Sequence, residues 1–233
     1  MNILLPIAGL GSRFSKVGFE LPKPLIKVEG KPMIQRAIES LGVQGNYIFI
    51  IKDNETLKLH LQSIYPDSNI ISINYLTDGP ASTCLLAKEQ INNNQPLLIA
   101  NCDQIMWWNS LAFTSFLNSC PYDGLVVTYN EDTPKNSYVK LDKNGLAVRI
   151  AEKEVISNVS LNGIHYWKNG SDFINSAELM IKDNERYNNE FYVGPTYNTL
   201  IKQGKKIGVY HIPNEQHHAV GTPEDLLKYT LKL

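Results

Sequence analysis

Four features that often reveal a function are scarce in this chain of 233 residues. Its cysteines, Cys84, Cys102 and Cys120, are too few and too scattered to predict a disulfide framework or a zinc site. A formal net charge of -1 provides no bulk attraction to nucleic acid or to an anionic membrane. No apolar run approaches the ~20 residues of a membrane-spanning helix, and the first residues lack the basic-then-apolar pattern of a signal peptide. We therefore expect a cytoplasmic protein without nucleic-acid or membrane partners.

Apolar residues, in contrast, are present in ordinary amounts. The chain is 43% hydrophobic and 19% charged, which is typical of a soluble globular protein, and it is long enough to bury a sizeable core. No repeat, low-complexity tract or linker interrupts it. We expect a single domain over residues 1–233.

Segments with strand and helix patterns alternate through the first half of the chain. Strands are predicted at Asn2–Ile7, Tyr47–Ile51, Asn69–Tyr75 and Pro96–Asn101, and helices at Lys31–Leu41, Asn54–Tyr65 and Ser82–Asn92. The run Tyr47–Ile51 is apolar without alternation, which is typical of a strand buried on both faces. This order predicts an α/β fold of Rossmann-like type, with a mixed, mostly parallel central sheet and helices on both faces.

The second half is richer in predicted strands. They are expected at Gly124–Asn130, Tyr138–Leu141, Leu146–Ala151, Leu161–Trp167 and Lys206–Ile212, with helices at Ser171–Lys182 and Gly194–Lys202. Thr222 followed by Pro223 indicates the start of a last helix, because threonine is a good N-cap and proline suits the first helical position.

The segment from Gly9 to Leu25 carries the most information about function. It follows the first predicted strand at once and contains Gly9-Leu-Gly-Ser-Arg13, then Lys23 between two prolines. Glycine tolerates φ > 0 and lets backbone N–H groups approach a ligand, and such a loop after a strand forms an anion-binding concavity. Arg13 adds a fork of donors that matches phosphate oxygens, and the prolines stiffen the backbone around Lys23. The segment predicts a loop that binds a nucleoside triphosphate.

Other interpretations of this segment fit less well. A lone Gly-x-Gly is more often a structural turn with charged residues at the surface beside it. A P-loop requires Gly-Lys-Ser/Thr at its end, and this loop has no lysine there. A dinucleotide-binding fingerprint requires a third glycine three residues after the second, where this chain has Phe14.

The pattern Gly-x-Gly-x-Arg followed by Pro-Lys-Pro-Leu resembles the signature of the sugar-phosphate nucleotidyltransferases, or NDP-sugar pyrophosphorylases. A weaker likeness extends over nearly the whole chain. The resemblance implies a GT-A-like nucleotidyltransferase fold, with an NTP-binding half over about residues 1–115 and an acceptor-binding half over about residues 116–233. It implies that Arg13 and Lys23 are catalytic and contact the triphosphate. It also implies a set of nucleotide-binding residues in the loop: Ala8, Gly9, Leu10, Gly11 and Ser12.

Asp103 closely follows the apolar strand predicted at Pro96–Asn101. Ligands of α/β sheets bind at the carboxyl ends of strands, where a carboxylate can hold Mg²⁺ against phosphate oxygens. In the resembling family the matching aspartate is a magnesium ligand, so the resemblance implies that Asp103 binds Mg²⁺ as the cofactor. By itself, an aspartate at this place would also fit a turn or a helix cap.

The resemblance assigns further residues to two sides of a pocket. On the base side it implies a turn and helix start containing Gly79, Ala81, Ser82 and Thr83, although Ser82 would also fit a helix cap. On the acceptor side it implies that Lys153 meets the acceptor's phosphate and that three more residues lie nearby: Asn162, Gly163 and Glu190. A charged residue at a strand end, such as Lys153, is otherwise usually solvated.

The sequence departs from the family near Gly221. Many members carry a second magnesium-binding aspartate two residues earlier, where this chain has Ala219. Water and phosphate would then complete the metal shell, or Glu190 or a histidine would help. The neighbouring His217 and His218 would also fit simple exposure, since two histidines without nearby cysteine or acid are a weak zinc signal.

The expected activity is transfer of a nucleoside monophosphate from an NTP to a phosphorylated small molecule, with a sugar 1-phosphate as first choice. The product would be an activated sugar for surface polysaccharide. A CTP-dependent enzyme acting on a non-sugar phosphate, such as phosphocholine, is the alternative within the class. A glycosyltransferase of similar fold would be expected to show Asp-x-Asp, whereas the triplet here is Asn101-Cys-Asp103. A non-catalytic sensor and a homo-oligomeric state are left open.

Overall fold

A nine-stranded sheet lies at the centre of the computed structural model, which describes residues 1–232. The strands are β1 (Asn2–Ile7), β2 (Lys27–Val28), β3 (Lys31–Pro32), β4 (Asn46–Lys52), β5 (Asn69–Ile73), β6 (Leu97–Ala100), β7 (Gln104–Met106), β8 (Gly124–Asn130), β9 (Ser137–Leu141), β10 (Ala147–Glu152), β11 (Val159–Trp167), β12 (Ile207–His211) and β13 (His217–Ala219). The α-helices are α1 (Ser12–Ser15), α2 (Met33–Leu41), α3 (Glu55–Ile64), α4 (Pro80–Leu85), α5 (Lys88–Ile91), α6 (Ser110–Asn118), α7 (Gly170–Lys182), α8 (Tyr197–Lys202) and α9 (Pro223–Thr230).

The central sheet has the order β10-β9-β11-β6-β1-β4-β5, and β8 and β12 join it because β8 pairs with β11 and β12 pairs with β8. β1 is parallel to β4 and β6, whereas β11 is antiparallel to β6, β8 and β9. Following all pairings, seven of the nine strands run in one direction, and β10 and β11 run in the other. The expected α/β fold with a mixed, mostly parallel sheet is confirmed.

Helices cover both faces of the sheet. Along β1, Ile3 and Leu5 belong to one buried cluster together with α2, α3 and α6, whereas Leu4 belongs to a second cluster with α4, α7 and α8. These three side chains are at most 1% exposed. Burial of each contributes roughly 1.5–3 kcal/mol relative to exposure. The apolar runs of the first half are therefore strands that are buried on both faces, as their lack of alternation predicts.

Side chains cap three of the helices. Asn54 caps α3, Asn109 caps α6, and Thr222 caps α9 by accepting a hydrogen bond from the N–H of Asp225 at 3.1 Å. The helix start predicted at Thr222 is confirmed. None of the helices described in residues 1–232 is long and apolar enough to span a bilayer.

A side chain satisfies the free backbone groups of one residue on the edge strand β10. Asn198, in the first turn of α8, donates from Nδ2 to the carbonyl of Ile150 at 2.8 Å and accepts from the N–H of Ile150 at 2.8 Å. One amide group thus satisfies both backbone groups of an edge residue, as a neighbouring strand would.

The elements differ from the sequence predictions in several places. The short elements α1 and β2 are not predicted, and the helix predicted at Gly194–Lys202 is α-helical only from Tyr197. α2 begins at Met33 rather than Lys31, because Lys31–Pro32 forms β3 and pairs with β2. The helix predicted at Ser82–Asn92 is two short helices, α4 and α5. Three elements between residues 104 and 219, namely β7, α6 and β13, are not predicted by local patterns.

Candidate functional site

A cleft of about 500 Å³ lies at the edge of the sheet where the neighbouring parallel strands β1 and β6 end. Many residues predicted for the site line it: Ala8, Gly9, Leu10, Gly11, Ser12, Arg13, Lys23, Gly79, Thr83, Asp103 and Glu190. The fold therefore brings the predicted phosphate loop (Gly9–Arg13), Lys23, the turn at Gly79 and the acids Asp103 and Glu190 to one opening.

Gly11 and Lys23 approach each other closely across the loop. Gly11 has φ +61°, and a Cβ atom there would lie 2.9 Å from Cβ of Lys23. A larger residue at position 11 would be strained in its backbone and would push Lys23 away. The second glycine of the loop is thus required for the position of the lysine that follows twelve residues later.

Lys23 and Asp103 form an ion pair inside the cleft. Nζ of Lys23 lies 2.5 Å from Oδ2 of Asp103, and the two side chains are 20% and 19% exposed. Burial by itself lowers the pKa of Lys23, but the attraction and hydrogen bond of the Asp103 carboxylate outweigh burial and hold this pKa above its usual value. Lys23 is therefore charged at neutral pH.

The base-side turn is joined to the loop that carries Glu190. The N–H of Phe191 donates to the carbonyl of Asp78 at 2.6 Å, and the carbonyl of Phe191 accepts from the N–H of Ala81 at 2.9 Å. Gly79 has φ +116°, and a Cβ atom there would lie 2.6 Å from the backbone N and O of Phe191. Glycine is required at position 79 by this close approach of two backbones.

Two of the residues predicted for the base side lie outside the lining of the cleft. Ala81 is fully buried against Phe191 and its N–H is bonded there, so it does not line the cleft. Ser82 also lies outside the cleft lining, and it is not a helix cap, because α4 begins after Gly79. Thr83 does line the cleft, and its hydroxyl donates to the carbonyl of Gly79 at 3.1 Å.

Lys153 and Glu190, both predicted for the acceptor side, are connected through Tyr192. Nζ of Lys153 donates to Oη of Tyr192 at 3.0 Å, and that hydroxyl donates to Oε2 of Glu190 at 2.6 Å. The ammonium also lies 4.9 Å from the ring centroid of Tyr192 and 5.5 Å from that of Tyr187. Burial and the Glu190 carboxylate raise the pKa of Tyr192, so its hydroxyl keeps its proton. Lys153 adopts φ +52°, a left-handed conformation that is uncommon for lysine.

The predicted acceptor residues Asn162 and Gly163 lie behind the cleft. Asn162 is 2% exposed, and its Oδ1 accepts from the N–H of Ile164 at 3.0 Å. Gly163 has φ +93°, and a Cβ atom there would overlap the side-chain amide of Asn101, which does line the cleft. The structure therefore gives Asn162 and Gly163 a supporting place, because they shape β11 and make room for Asn101.

A family model described as "MobA-like NTP transferase domain" matches residues 3–142, which is more than half of the chain. The matched range contains the phosphate loop, Lys23 and Asp103. The chain belongs to this family. The expected membership of a nucleotidyltransferase family is confirmed.

Individual relatives of this NTP transferase are more distant. Mannose-1-phosphate guanyltransferase of Schizosaccharomyces pombe is 24% identical over 177 residues, which cover 71% of this chain and 49% of that protein. The chain spans about half or less of the length of the curated relatives it matches.

Solved structures share the fold at low sequence identity. The nucleoside-diphosphate-sugar pyrophosphorylase of Vibrio cholerae RC9 has a TM-score of 0.85 at 20% identity, covering 97% of this chain and 98% of that one. CTP:phosphocholine cytidylyltransferase of Streptococcus pneumoniae has a TM-score of 0.77 at 18% identity, covering 100% and 98%. The whole chain thus has the fold of these nucleotidyltransferases.

For a metal ion, this NTP transferase offers the carboxylate of Asp103. The N–H of Val220 donates to the carbonyl of Asp103 at 2.9 Å, and a Cβ atom at Gly221 would overlap Oδ2 of Asp103. The missing side chain of Gly221 therefore makes room for this oxygen itself. Within residues 1–232, no three histidine, cysteine, aspartate or glutamate side chains form a group that could hold a metal. One carboxylate at the lining of the cleft suits Mg²⁺, which keeps several waters and binds substrate phosphates.

The two histidines near Ala219 are not simply exposed. His218 is 5% exposed, with its ring centroid 4.1 Å from that of Trp107 and 5.6 Å from that of Tyr229. His217 is hydrogen-bonded to Gln104, and burial lowers its pKa to about 4. Both histidines are thus held in place by packing or hydrogen bonding on the β7–β13 pair.

Several residues of the cleft are missed by the sequence prediction. Asn101 lies two residues before Asp103, and its position directly after β6 is a signal that could have found it. Thr77 lines the cleft and its hydroxyl lies 2.6 Å from that of Thr83. Tyr192 lies outside the lining of the cleft but joins Lys153 to Glu190. It has no comparable signal, because its partner Lys153 is 39 residues away in sequence.

Proposed function

We propose that the protein transfers a nucleoside monophosphate from an NTP to a sugar 1-phosphate, releasing pyrophosphate and forming an activated sugar. The observation that carries the proposal is the meeting of the Gly9–Arg13 loop with the Lys23–Asp103 pair in one cleft of an NTP transferase domain. A sugar phosphate as acceptor is supported by the S. pombe relative named mannose-1-phosphate guanyltransferase. We further propose that the product supplies surface polysaccharide synthesis.

The reaction needs little proton transfer. The second pKa of a phosphate monoester is about 6, so the acceptor's phosphate is mostly dianionic at neutral pH and needs no general base. One of its oxygens attacks the α-phosphorus in line, the bond from this phosphorus to the bridging α–β oxygen breaks, and pyrophosphate leaves with the electron pair. Catalysis then consists of positioning and charge stabilisation.

We assign these tasks to residues that line the cleft and to Lys153, which lies outside its lining and is joined to Glu190 through Tyr192. Lys23 and Arg13 would neutralise charge that grows on the triphosphate, and Lys153 would hold the acceptor's phosphate. Asp103 would bind Mg²⁺, which when bound supplies positive charge at the phosphate oxygens. Glu190 would contact the acceptor from the far side of the cleft, oriented by the hydroxyl of Tyr192.

A second acceptor class is favoured by one observation. The rings of Tyr187 and Tyr192 flank a cation, the ammonium of Lys153, with the Glu190 carboxylate one hydrogen bond away. Aromatic rings with a carboxylate also bind substituted ammonium groups. A non-sugar phosphate with a positive charge, such as phosphocholine, with CTP as donor, is therefore the alternative substrate.

The proposal is tested by measuring pyrophosphate release with Mg²⁺. Each of ATP, GTP, CTP, UTP and dTTP is combined with sugar 1-phosphates and with phosphocholine, and products are identified by mass spectrometry. Transfer to a sugar 1-phosphate supports the proposal, and transfer only to phosphocholine replaces the acceptor class. A folded protein without release from any pair contradicts nucleotidyl transfer and favours the sensor.

A further inference from the structure

The ion pair between Lys23 and Asp103 involves the group proposed as the metal ligand. Nζ of Lys23 lies 2.5 Å from Oδ2 of Asp103, the oxygen that packs against Gly221 at the lining of the cleft. A Mg²⁺–oxygen bond is about 2.0–2.1 Å long, so a metal bound to this carboxylate would lie close to the ammonium. Two cations at such a distance repel each other in a partly buried cleft, where water screens them weakly.

The two partners differ in their freedom to move. The backbone of Asp103 is tied to β13's end by the hydrogen bond from Val220, so its carboxylate stays at the sheet edge. The backbone of Lys23 is fixed by Pro22 and Pro24 and by its contact with Gly11, but its side chain has four rotatable bonds. A rearrangement at this site therefore moves the ammonium and leaves the carboxylate in place.

From this geometry we infer that Lys23 is an internal counter-ion that keeps divalent metal off Asp103 until a nucleotide arrives. The inference rests on the proposed function, because the triphosphate is what draws the ammonium away. Lys23 then exchanges one carboxylate for phosphate oxygens, and Asp103 becomes available to the metal in the same event. Metal and nucleotide enter together, and the nucleotide-free protein binds metal weakly.

The test measures metal binding without any turnover. Mn²⁺ replaces Mg²⁺ as probe, and its free concentration is followed by electron paramagnetic resonance in nucleotide-free protein. Lys23→Met removes the charge and keeps the side-chain length, and we expect it to bind Mn²⁺ at least about tenfold more tightly than the natural sequence, a change of about 1.4 kcal/mol. Adding Asp103→Asn to that variant should abolish the gain.

Two further variants keep the outcome clear. Lys16→Met removes an exposed lysine of the same loop and should leave Mn²⁺ affinity unchanged. Lys23→Gln is used beside Lys23→Met in case the methionine variant folds poorly, as judged by circular dichroism. Folded Lys23 variants that bind Mn²⁺ no more tightly than the natural protein would overturn the inference.

Failure of the inference and failure of the proposed function are distinguishable. A protein that releases pyrophosphate with Mg²⁺ but shows no gain of Mn²⁺ affinity in the Lys23 variants contradicts only the counter-ion role. A protein that releases no pyrophosphate from any pair contradicts the proposed function, and the Mn²⁺ titration still reports whether Lys23 and metal compete for Asp103.

Discussion

Asp103 is held by several contacts at the lining of the cleft. It pairs with Lys23, lies against the backbone at Gly221 and comes three residues after the carboxyl end of a buried strand. Its carboxylate pairs with Lys23 and, in the proposed reaction, binds the metal once Lys23 has moved. Removing this carboxylate should therefore lower activity more than stability.

The first prediction concerns this carboxylate. Asp103→Asn keeps the shape of the side chain and should lower turnover by at least about a hundredfold, the scale found when one charge-stabilising group is lost. Pyrophosphate release measures the effect, and denaturant unfolding checks the fold. Asp67→Asn, an exposed aspartate after α3, serves as control and should be active. Near-normal turnover of Asp103→Asn would show that this carboxylate holds no essential metal.

The second prediction concerns stability in acid. His165 is 8% exposed, its ring centroid lies 6.1 Å from that of Trp167 and 6.0 Å from that of Tyr197, and burial lowers its pKa to about 4. The unfolded chain binds a proton near the ordinary value of 6.5, whereas the folded protein does so only near 4. Stability is therefore lost as pH falls from 6.5 towards 4, by roughly 2 kcal/mol between pH 7 and pH 5 for this group.

Denaturant unfolding at pH 7 and pH 5 measures this loss. His165→Leu should unfold with a smaller difference between the two pH values than the natural protein, whatever its stability at pH 7. His211→Gln removes an exposed histidine and should keep the full difference. An unchanged pH difference in His165→Leu would refute the assignment.

At this scale, the sequence predicts residues that stand in a recognisable local pattern. Gly11, Lys23 and Asp103 follow from glycines, prolines and a strand end. The burial of Ala81 is not predicted, because it is caused by Phe191, a residue 110 positions away whose approach leaves no local pattern.

Among the elements, the turn before α4 and the loop before residue 194 depend on each other. Phe191 is hydrogen-bonded to Asp78 and Ala81 and contacts Gly79, so the proposed base side and the proposed acceptor side of the cleft meet through backbone hydrogen bonds. Arg186 strengthens the contact, since its guanidinium lies 4.2 Å from the ring centroid of Phe191.

The third prediction separates this contact from backbone strain. In Gly79→Ala the new residue would have to adopt a positive φ, and its methyl group would collide with the backbone of Phe191. In Gly145→Ala the φ is also positive, at +77°, but no atom lies near the new methyl group. The strain alone costs about 1 kcal/mol, and we expect Gly79→Ala to cost at least about 2 kcal/mol in unfolding free energy. If urea unfolding gave the same loss of unfolding free energy in the two variants, the contact with Phe191 would add nothing to the cost of the positive φ.

The missed elements explain what local patterns cannot predict. β7 and β13 are three residues each and exist because they pair with each other across more than 100 positions. The N-cap Asn109 marks the start of α6, but the helix is buried through Phe113 and Leu117 only after the sheet has formed. Long, strongly patterned elements such as β1 and β4 are predicted nearly to the residue.

On the scale of the whole molecule, the two proposed halves share one sheet. β6 from the first half pairs with β11 from the second, and β11 pairs with β8 and β9 in turn. The sequence predicts these strands but not their order, because pairing between distant strands is decided by the complete sheet. We propose that the described residues form one cooperative unit.

The fourth prediction tests this unity with tryptophan fluorescence. Trp107 and Trp108 lie in the first half, and Trp167 is fully buried in the second. In a Trp167→Phe variant and in a variant with both other tryptophans changed to phenylalanine, fluorescence should follow the same urea transition as circular dichroism. Separate transitions in either variant would mean that the halves unfold independently.

The amide of Asn198 has a consequence for crowded solutions. An exposed strand edge can pair with the strands of other chains. Here the Asn198 side chain occupies the free N–H and carbonyl of Ile150 on the edge strand β10. Asn198→Ala should cost about 1–2 kcal/mol, because it leaves backbone groups unpaired. It should also cause concentration-dependent association in sedimentation velocity, which Gln203→Ala at the end of α8 should not. One amide would then decide whether the protein remains dispersed at high concentration.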